Sequence, residues 1–117
     1  MRDHRKLEVF KLADDLVIRV YQATARFPKD ELYGLVSQMR RSAVSATSNI
    51  VEGCGRRTEI EFNRFLDISF GSLRELGYLV ELSAKLGYLG GDALKDLREL
   101  QGRSAAALAG LIKNREA

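Results

Sequence analysis

The stretch QMRRSAVSATSNIVEGCGRR, from Gln38 to Arg57, decides how this chain is read. Together with Leu35 just before it, its apolar residues Met39, Ala43, Ala46 and Ile50 fall at helical spacing, and no proline interrupts them. A second line runs alongside. Gln38, Ser42, Ser45, Asn49 and Glu52 recur at four, three, four and three residues, which places five polar side chains in one row along the same helix. A polar row beside an apolar one is unfavourable in a small helical protein unless its groups find hydrogen-bond partners. The segment is therefore expected to be a helix with two working seams.

Every other segment also has helical periodicity. Upstream, Val9, Leu12, Leu16, Val20 and Ala23 form one apolar line, and Phe10, Ala13, Val17, Tyr21 and Thr24 form a second. Pro28, the single proline, ends that helix, because the residue before a proline is pushed out of the helical region. Downstream, Thr58 followed by Glu61 is a capping box, and Phe62, Phe65, Leu66, Leu73, Leu76, Val80 and Ala84 continue as an apolar line. Gly53 or Gly55 is expected to supply a left-handed stop before it, and Gly87 to end it at Lys85-Leu86-Gly87. Gly71 and Gly77 inside this helix point to close helix contacts. After Gly90-Gly91, Asp92 can cap a last helix with Leu94, Leu97, Leu100, Ala107, Leu108 and Leu111 inward, and residues 114–117 are expected to fray. The helices are predicted at about 7–26, 31–52, 58–86 and 92–113 within a single domain of residues 1–117. Connections this short favour antiparallel neighbours, so the predicted fold is all-α, an up-down-up-down four-helix bundle.

Composition narrows the class. The chain has 117 residues, 45% hydrophobic and 30% charged, which suits one globular domain with a real core. Nineteen Lys and Arg against sixteen Asp and Glu leave a net charge of +3, enough to permit an anionic partner without requiring one. The single cysteine, Cys54, cannot close an internal disulfide, and no run of apolar residues is long enough for a membrane span. A cytoplasmic setting with no membrane partner is expected. The two apolar lines of helix one, with Tyr78, Leu79, Leu82 and Leu86 off the main line of helix three, exceed what one core needs and predict a homo-oligomer.

Catalytic chemistries fail one by one. A di-iron bundle needs Glu-x-x-His pairs, whereas the only histidine is His4 in a leader expected to be mobile, so no metal site is expected. Cys54 between two glycines is exposed enough to consider as a thiol nucleophile, yet no base lies near it. Gly53-Cys54-Gly55-Arg56-Arg57 lacks the residues and the preceding strand of a phosphate loop, and retains only two arginines beside a helix N-terminus. The chain is read as a non-enzyme with no cofactor. The polar seam of Gln38, Ser42, Ser45, Asn49 and Glu52, with Glu75 across from it, is expected to specify packing, and Arg41 with Glu75 is the leading candidate ion pair. Arg40, Arg41, Arg56, Arg57 and Arg64 are the candidate nucleic-acid or anion contacts, since guanidinium groups suit phosphate and a symmetric oligomer multiplies a modest patch. The alternative is that these arginines pair with Glu52, Glu59, Glu61 and Glu75.

The ordered motifs Leu35-x-x-Gln38-x-Arg40-Arg41-x-Ala43-x-Ser45, Ser48-Asn49-Ile50-x-Glu52-Gly53-x-Gly55-Arg56, Glu61-Phe62-x-Arg64-Phe65-Leu66, Gly71-Ser72-Leu73-x-Glu75-Leu76 and Leu86-Gly87-Tyr88-Leu89 add a further signal. So do Lys6-Leu7-Glu8-Val9-Phe10-Lys11 and the turn Phe27-Pro28 to Glu31-x-Tyr33-Gly34-Leu35. Over about residues 6 to 90 the chain resembles the four-helix-bundle proteins of bacterial 23S rRNA intervening sequences, and is similar to the accessory proteins of diversity-generating retroelements. The resemblance implies a ring-like homopentamer and, for the retroelement relatives, a basic surface that binds nucleic acid and a partner reverse transcriptase. Ala46-Thr47 stand where the family often has Ile-Pro, so helix two is expected to be less kinked here. The resulting expectation is a homopentameric binding or scaffold protein that contacts RNA or DNA through its arginines. The alternative is a protein-interaction scaffold with no nucleic-acid role.

Overall fold

The apolar lines legible in the sequence converge on one core. A computed structural model describes residues 1–116, with side chains to residue 113. Helices α1 (Glu8–Thr24), α2 (Ser37–Cys54), α3 (Glu59–Lys85) and α4 (Gly91–Glu116) pack around Leu16, Val20, Met39, Ile50, Phe62, Leu66, Leu73, Leu76, Leu97 and Leu108, all buried. The antiparallel sense is visible in the contacts: Thr47 reaches Ala13 and Arg40 reaches Thr24 across α1 and α2, while Ser45 meets Ser72 and Gln38 meets Glu75 across α2 and α3. Arg98 meets Glu81 and Gln101 meets Leu73 across α3 and α4, and Arg19 meets Asp96 where α4 closes on α1. The molecule is an all-α four-helix protein 43 Å long and 23 × 20 Å across.

Helix ends follow local chemistry. The Thr58 hydroxyl accepts a hydrogen bond from the Glu61 N–H at 3.2 Å, the cap expected for α3. At its other end Gly87 takes φ +80°, with Tyr88 N–H bonded to Ser83 O and Gly87 N–H to Ala84 O, a Schellman stop that a β-carbon would disfavour. Replacing Thr58 by alanine should destabilise the fold by about 1 kcal/mol, and serine should not. Thermal unfolding checks this, and equal midpoints for both variants would contradict it.

Several expectations are corrected. The chain does not enter α2 at residue 31. A 3-10 turn at Lys29–Glu31 leads into a π turn at Leu32–Val36, where Gly34 takes φ −112° and ψ −108°. The Glu31 carboxylate accepts from Leu35 N–H and from the Tyr88 hydroxyl, both at 3.2 Å, so it holds this turn against the α3–α4 connection. The hydrogen bond to Glu31, helped by burial, raises the Tyr88 hydroxyl above its ordinary pKa. Gly55 ends α2 in a right-handed conformation (φ −82°), its N–H shared by Val51 O and Glu52 O, so neither Gly53 nor Gly55 is a left-handed stop. A β-carbon on Gly71 would meet open space, whereas one on Gly77 would lie 2.7 Å from Gln101 Nε2, so only the second glycine marks a close approach. Asp92 lies in the first turn of α4 rather than at its cap, and α4 continues through residues 114–116, with Ala117 outside the described residues. Leu79 is buried and Leu82 packs on the core, which absorbs part of the apolar surplus expected for subunit contacts. Ile18 and Tyr21 on α1, Tyr78 on α3 and Leu86 at the C-cap of α3 remain exposed.

Candidate functional site

The polar row of α2 divides in two once the helices meet. Ser45 and Ser72 share a hydrogen bond at 2.9 Å, and Gln38 Nε2 donates to Glu75 Oε2 at 3.1 Å; these cross to α3. Ser42 instead donates to Met39 O, Asn49 donates to Ser45 O and Oγ, and Glu52 accepts from Arg56, all within or next to α2. Ser69, buried on α3, donates to Ala46 O at 2.6 Å and so joins the contact from the apolar side. The expected Arg41–Glu75 pair does not form. In the antiparallel register Gln38 takes Glu75, and Arg41 points outward without an ion pair or hydrogen bond among the described residues.

These groups border a cleft of about 380 Å3 where the π turn approaches α3, lined in part by Tyr33, Gln38, Arg41, Ser45, Ser72 and Glu75. Tyr33, presented by the π turn, is 93% exposed. Sequence periodicity does not single out Tyr33, because it lies in a turn outside the helical pattern; it enters only within the motif Glu31-x-Tyr33-Gly34-Leu35 after Pro28.

The arginines fall into two groups, not one patch. Arg40 lies against α1: its Nε donates to Thr24 Oγ1 at 3.0 Å and its guanidinium stacks 4.6 Å from the Tyr21 ring centre. Arg41 lies next to it at the cleft. About four turns further along α2, roughly 22 Å by the helical rise, Arg56, Arg57 and Arg64 gather at the α2–α3 connection. Arg56 pairs with Glu52 at 2.8 Å and lies 3.9 Å from Glu61. Arg56 and Arg64 both stand over Phe65, at 4.8 and 5.7 Å. Arg57 is exposed and has no partner among the described residues.

The leader is docked, contrary to the expectation that it is mobile. Arg2 N–H donates to Cys54 O at 2.8 Å, and the Arg2 guanidinium pairs with Glu59 at 2.8 Å while lying 3.9 Å over the Phe62 ring. Asp3 caps a short 3-10 turn, His4–Lys6; the Arg5 guanidinium and N–H bonded to Asp3 lower its carboxyl to about 2. His4 stands edge-on to Phe10 at 4.7 Å. Beneath this strap Cys54 is 1% exposed, not open as the flanking glycines suggested, and burial raises its thiol pKa above the ordinary value. Arg2 is thus a contributor that composition could not reveal, since it acts on residues more than fifty positions away. Arg2→Ala should loosen the strap and speed reaction of Cys54 with an aromatic disulfide about tenfold, as loss of a partly desolvated cation–π contact and an ion pair allows. Unchanged thiol kinetics would show that Arg2 does not hold it.

Among the described residues no helix is long and apolar enough to cross a membrane, and no three His, Cys, Asp or Glu side chains converge as a metal-binding group. What the geometry defines is a small helical protein whose candidate site residues lie on α2, α3 and the α2–α3 connection. Residues 5–110 match the family described as 23S rRNA-intervening sequence protein, and the chain belongs to that family. The match extends through most of α4, further than the motifs in the first three helices implied. A solved structure of a protein of unknown function from the S23 ribosomal protein family of Bacteroides thetaiotaomicron VPI-5482 is similar at 19% identity, with a TM-score of 0.81 over 90% of this chain and 95% of that one. At that identity the likeness is one of fold. No curated protein matches the sequence.

Proposed function

We propose that this chain is a non-enzymatic, homopentameric binding module that holds nucleic-acid phosphates on arginines of α2 and the α2–α3 connection. One observation carries the reading: Arg40, Arg41, Arg57 and Arg64 have no carboxylate partner among the described residues, although Glu52, Glu59, Glu61 and Glu75 lie on the same helices. The two arginine groups lie roughly 22 Å apart along α2, a span of about six steps of a nucleic-acid strand at 3.4 Å each. Between them Val44, Ser48 and Val51 are exposed on α2, and the neighbouring Glu52 is paired with Arg56. The family is described by the intervening sequences of 23S rRNA, and a ribosomal RNA fragment is a convenient first probe.

Exposed Ile18, Tyr21, Tyr78 and Leu86 support self-association, and a ring would repeat the arginines around one axis. Filter binding at low salt is the test: RNA or DNA should be retained at micromolar protein, with affinity falling steeply as salt rises. No retention would sink the nucleic-acid reading and leave a protein-interaction scaffold, which the apolar side chains also support. Light scattering tests the assembly, and a mass near the 13.1 kDa of one chain would overturn it.

A further inference from the structure

We propose that the cleft beside the π turn is a subsite for an unpaired nucleobase of a single-stranded nucleic acid, with Tyr33 as the stacking surface. The inference rests on the nucleic-acid reading above and goes beyond it by naming a strand type and a site. Three observations converge. Tyr33 is 93% exposed and makes no ring contact or hydrogen bond among the described residues, yet it is held in place by a turn that Glu31 fastens to Leu35 and Tyr88. An uncovered aromatic ring carried on a fastened turn is the kind of platform on which single-strand binders stack bases.

Next to it, the Gln38–Glu75 pair leaves capacity unused. The hydrogen bond uses Nε2 of Gln38 and Oε2 of Glu75, so an amide carbonyl, the second amide hydrogen and a carboxylate oxygen remain to face an incoming group. Mixed donors and acceptors of this kind read base edges, a carboxylate accepting from an exocyclic amine and a glutamine serving as both donor and acceptor. Third, Arg41 lines the same cleft with its guanidinium unengaged, placed to take the phosphate next to the bound base. The cleft volume of about 380 Å3 lies in the small-ligand range. Glu75 also argues against a simple phosphate pocket, because a carboxylate there repels a free dianion while it can accept from a base. A duplex keeps its bases stacked and paired, so it cannot offer one to Tyr33 without first unpairing it.

The test uses the full chain and two labelled RNA probes, a 12-nucleotide single strand and a hairpin duplex of matched charge, in low-salt anisotropy titrations. Tyr33→Ala should weaken single-strand binding about tenfold and leave duplex binding unchanged, while Tyr33→Phe retains the single-strand affinity. Tyr33 is uncovered, so the fold should survive, and circular dichroism checks it. Equal affinity of wild type and Tyr33→Ala for the single strand would overturn the base subsite while leaving the arginine surface standing. Failure of wild type to bind either probe would overturn both. In a parallel arm, adenosine and cytidine monophosphates should shift the backbone amides of residues 33–45 and 72–75 in a nitrogen–proton correlation spectrum. Inorganic phosphate producing the same shifts would reduce the cleft to an anion site and overturn the proposal. A partner peptide, rather than nucleotide, producing them would do the same.

Discussion

A triple variant, Arg41→Ala with Arg57→Ala and Arg64→Ala, should bind RNA about a hundredfold or more weakly at low salt, with almost no change in stability. The size follows from removing three charge-assisted phosphate contacts, each contributing on the order of 1 kcal/mol or more at an exposed surface. The slope of log affinity against log salt should flatten by about two for a single strand, since each neutralised phosphate contributes roughly 0.7. Stability should hold because Arg41 and Arg57 have no partner among the described residues and Arg64 has only a distant approach to the Phe65 ring, at 5.7 Å. Two controls sharpen this result. Arg40→Ala removes the bond to Thr24 and the stack on Tyr21, so it should lower the melting temperature as well as binding. Arg56→Ala releases Glu52 from its ion pair, so any loss of binding should include the repulsion of a freed carboxylate. An unaltered salt slope in the triple variant would remove these arginines from the interface.

Which residues of the polar row and which arginines meet across the helices is a matter of register. Periodicity reports which residues share a face of one helix, and it found the line Leu35, Met39, Ala43, Ala46 and Ile50, all of which are buried. It found the Thr58 cap and the Gly87 stop for the same reason, because both are settled by residues within one turn. It does not report how one helix is rotated and shifted against another. Gln38 rather than Arg41 meets Glu75 because of that rotation, and Ser42 turns inward to its own helix although it belongs to the polar row. The docked leader escaped for a related reason. Arg2 finds Glu59 and Phe62 only after α2 and α3 have brought the α2–α3 connection beside it. The cleft is legible only in part: its serines and Gln38 stood out by spacing, while Tyr33 depends on a π turn that no helical pattern encodes.

Gly53→Val should be the most damaging single substitution, costing about 3 kcal/mol or more. At this buried position a β-carbon would lie 2.9 Å from the Cβ of Phe65 and 3.4 Å from Phe62, so α2 touches α3 here through bare backbone. The obstructing atom is anchored to the α3 main chain and cannot swing away like the tip of a long side chain. Two effects compete in the smaller change, Gly53→Ala. Helix propensity favours alanine by up to about 1 kcal/mol, whereas forcing an extra carbon into a packed contact costs about 1–3 kcal/mol. The contact should win, giving a net loss, and valine adds two methyl groups and a poorer helix former. At about 4 °C per kcal/mol for a domain of this size, valine should lower the melting temperature by roughly 12 °C or more. Gly71→Ala is the matched control, since its β-carbon would meet nothing within 4 Å. It should raise the melting temperature by a few degrees through propensity alone. The consequence extends to function, because Phe62 carries the Arg2 stack and Phe65 lies under Arg56 and Arg64. Separating α2 from α3 should therefore also speed Cys54 labelling in molecules that remain folded. If Gly53→Ala and Gly71→Ala stabilised the protein equally, the close approach of α2 and α3 at Gly53 would be wrong.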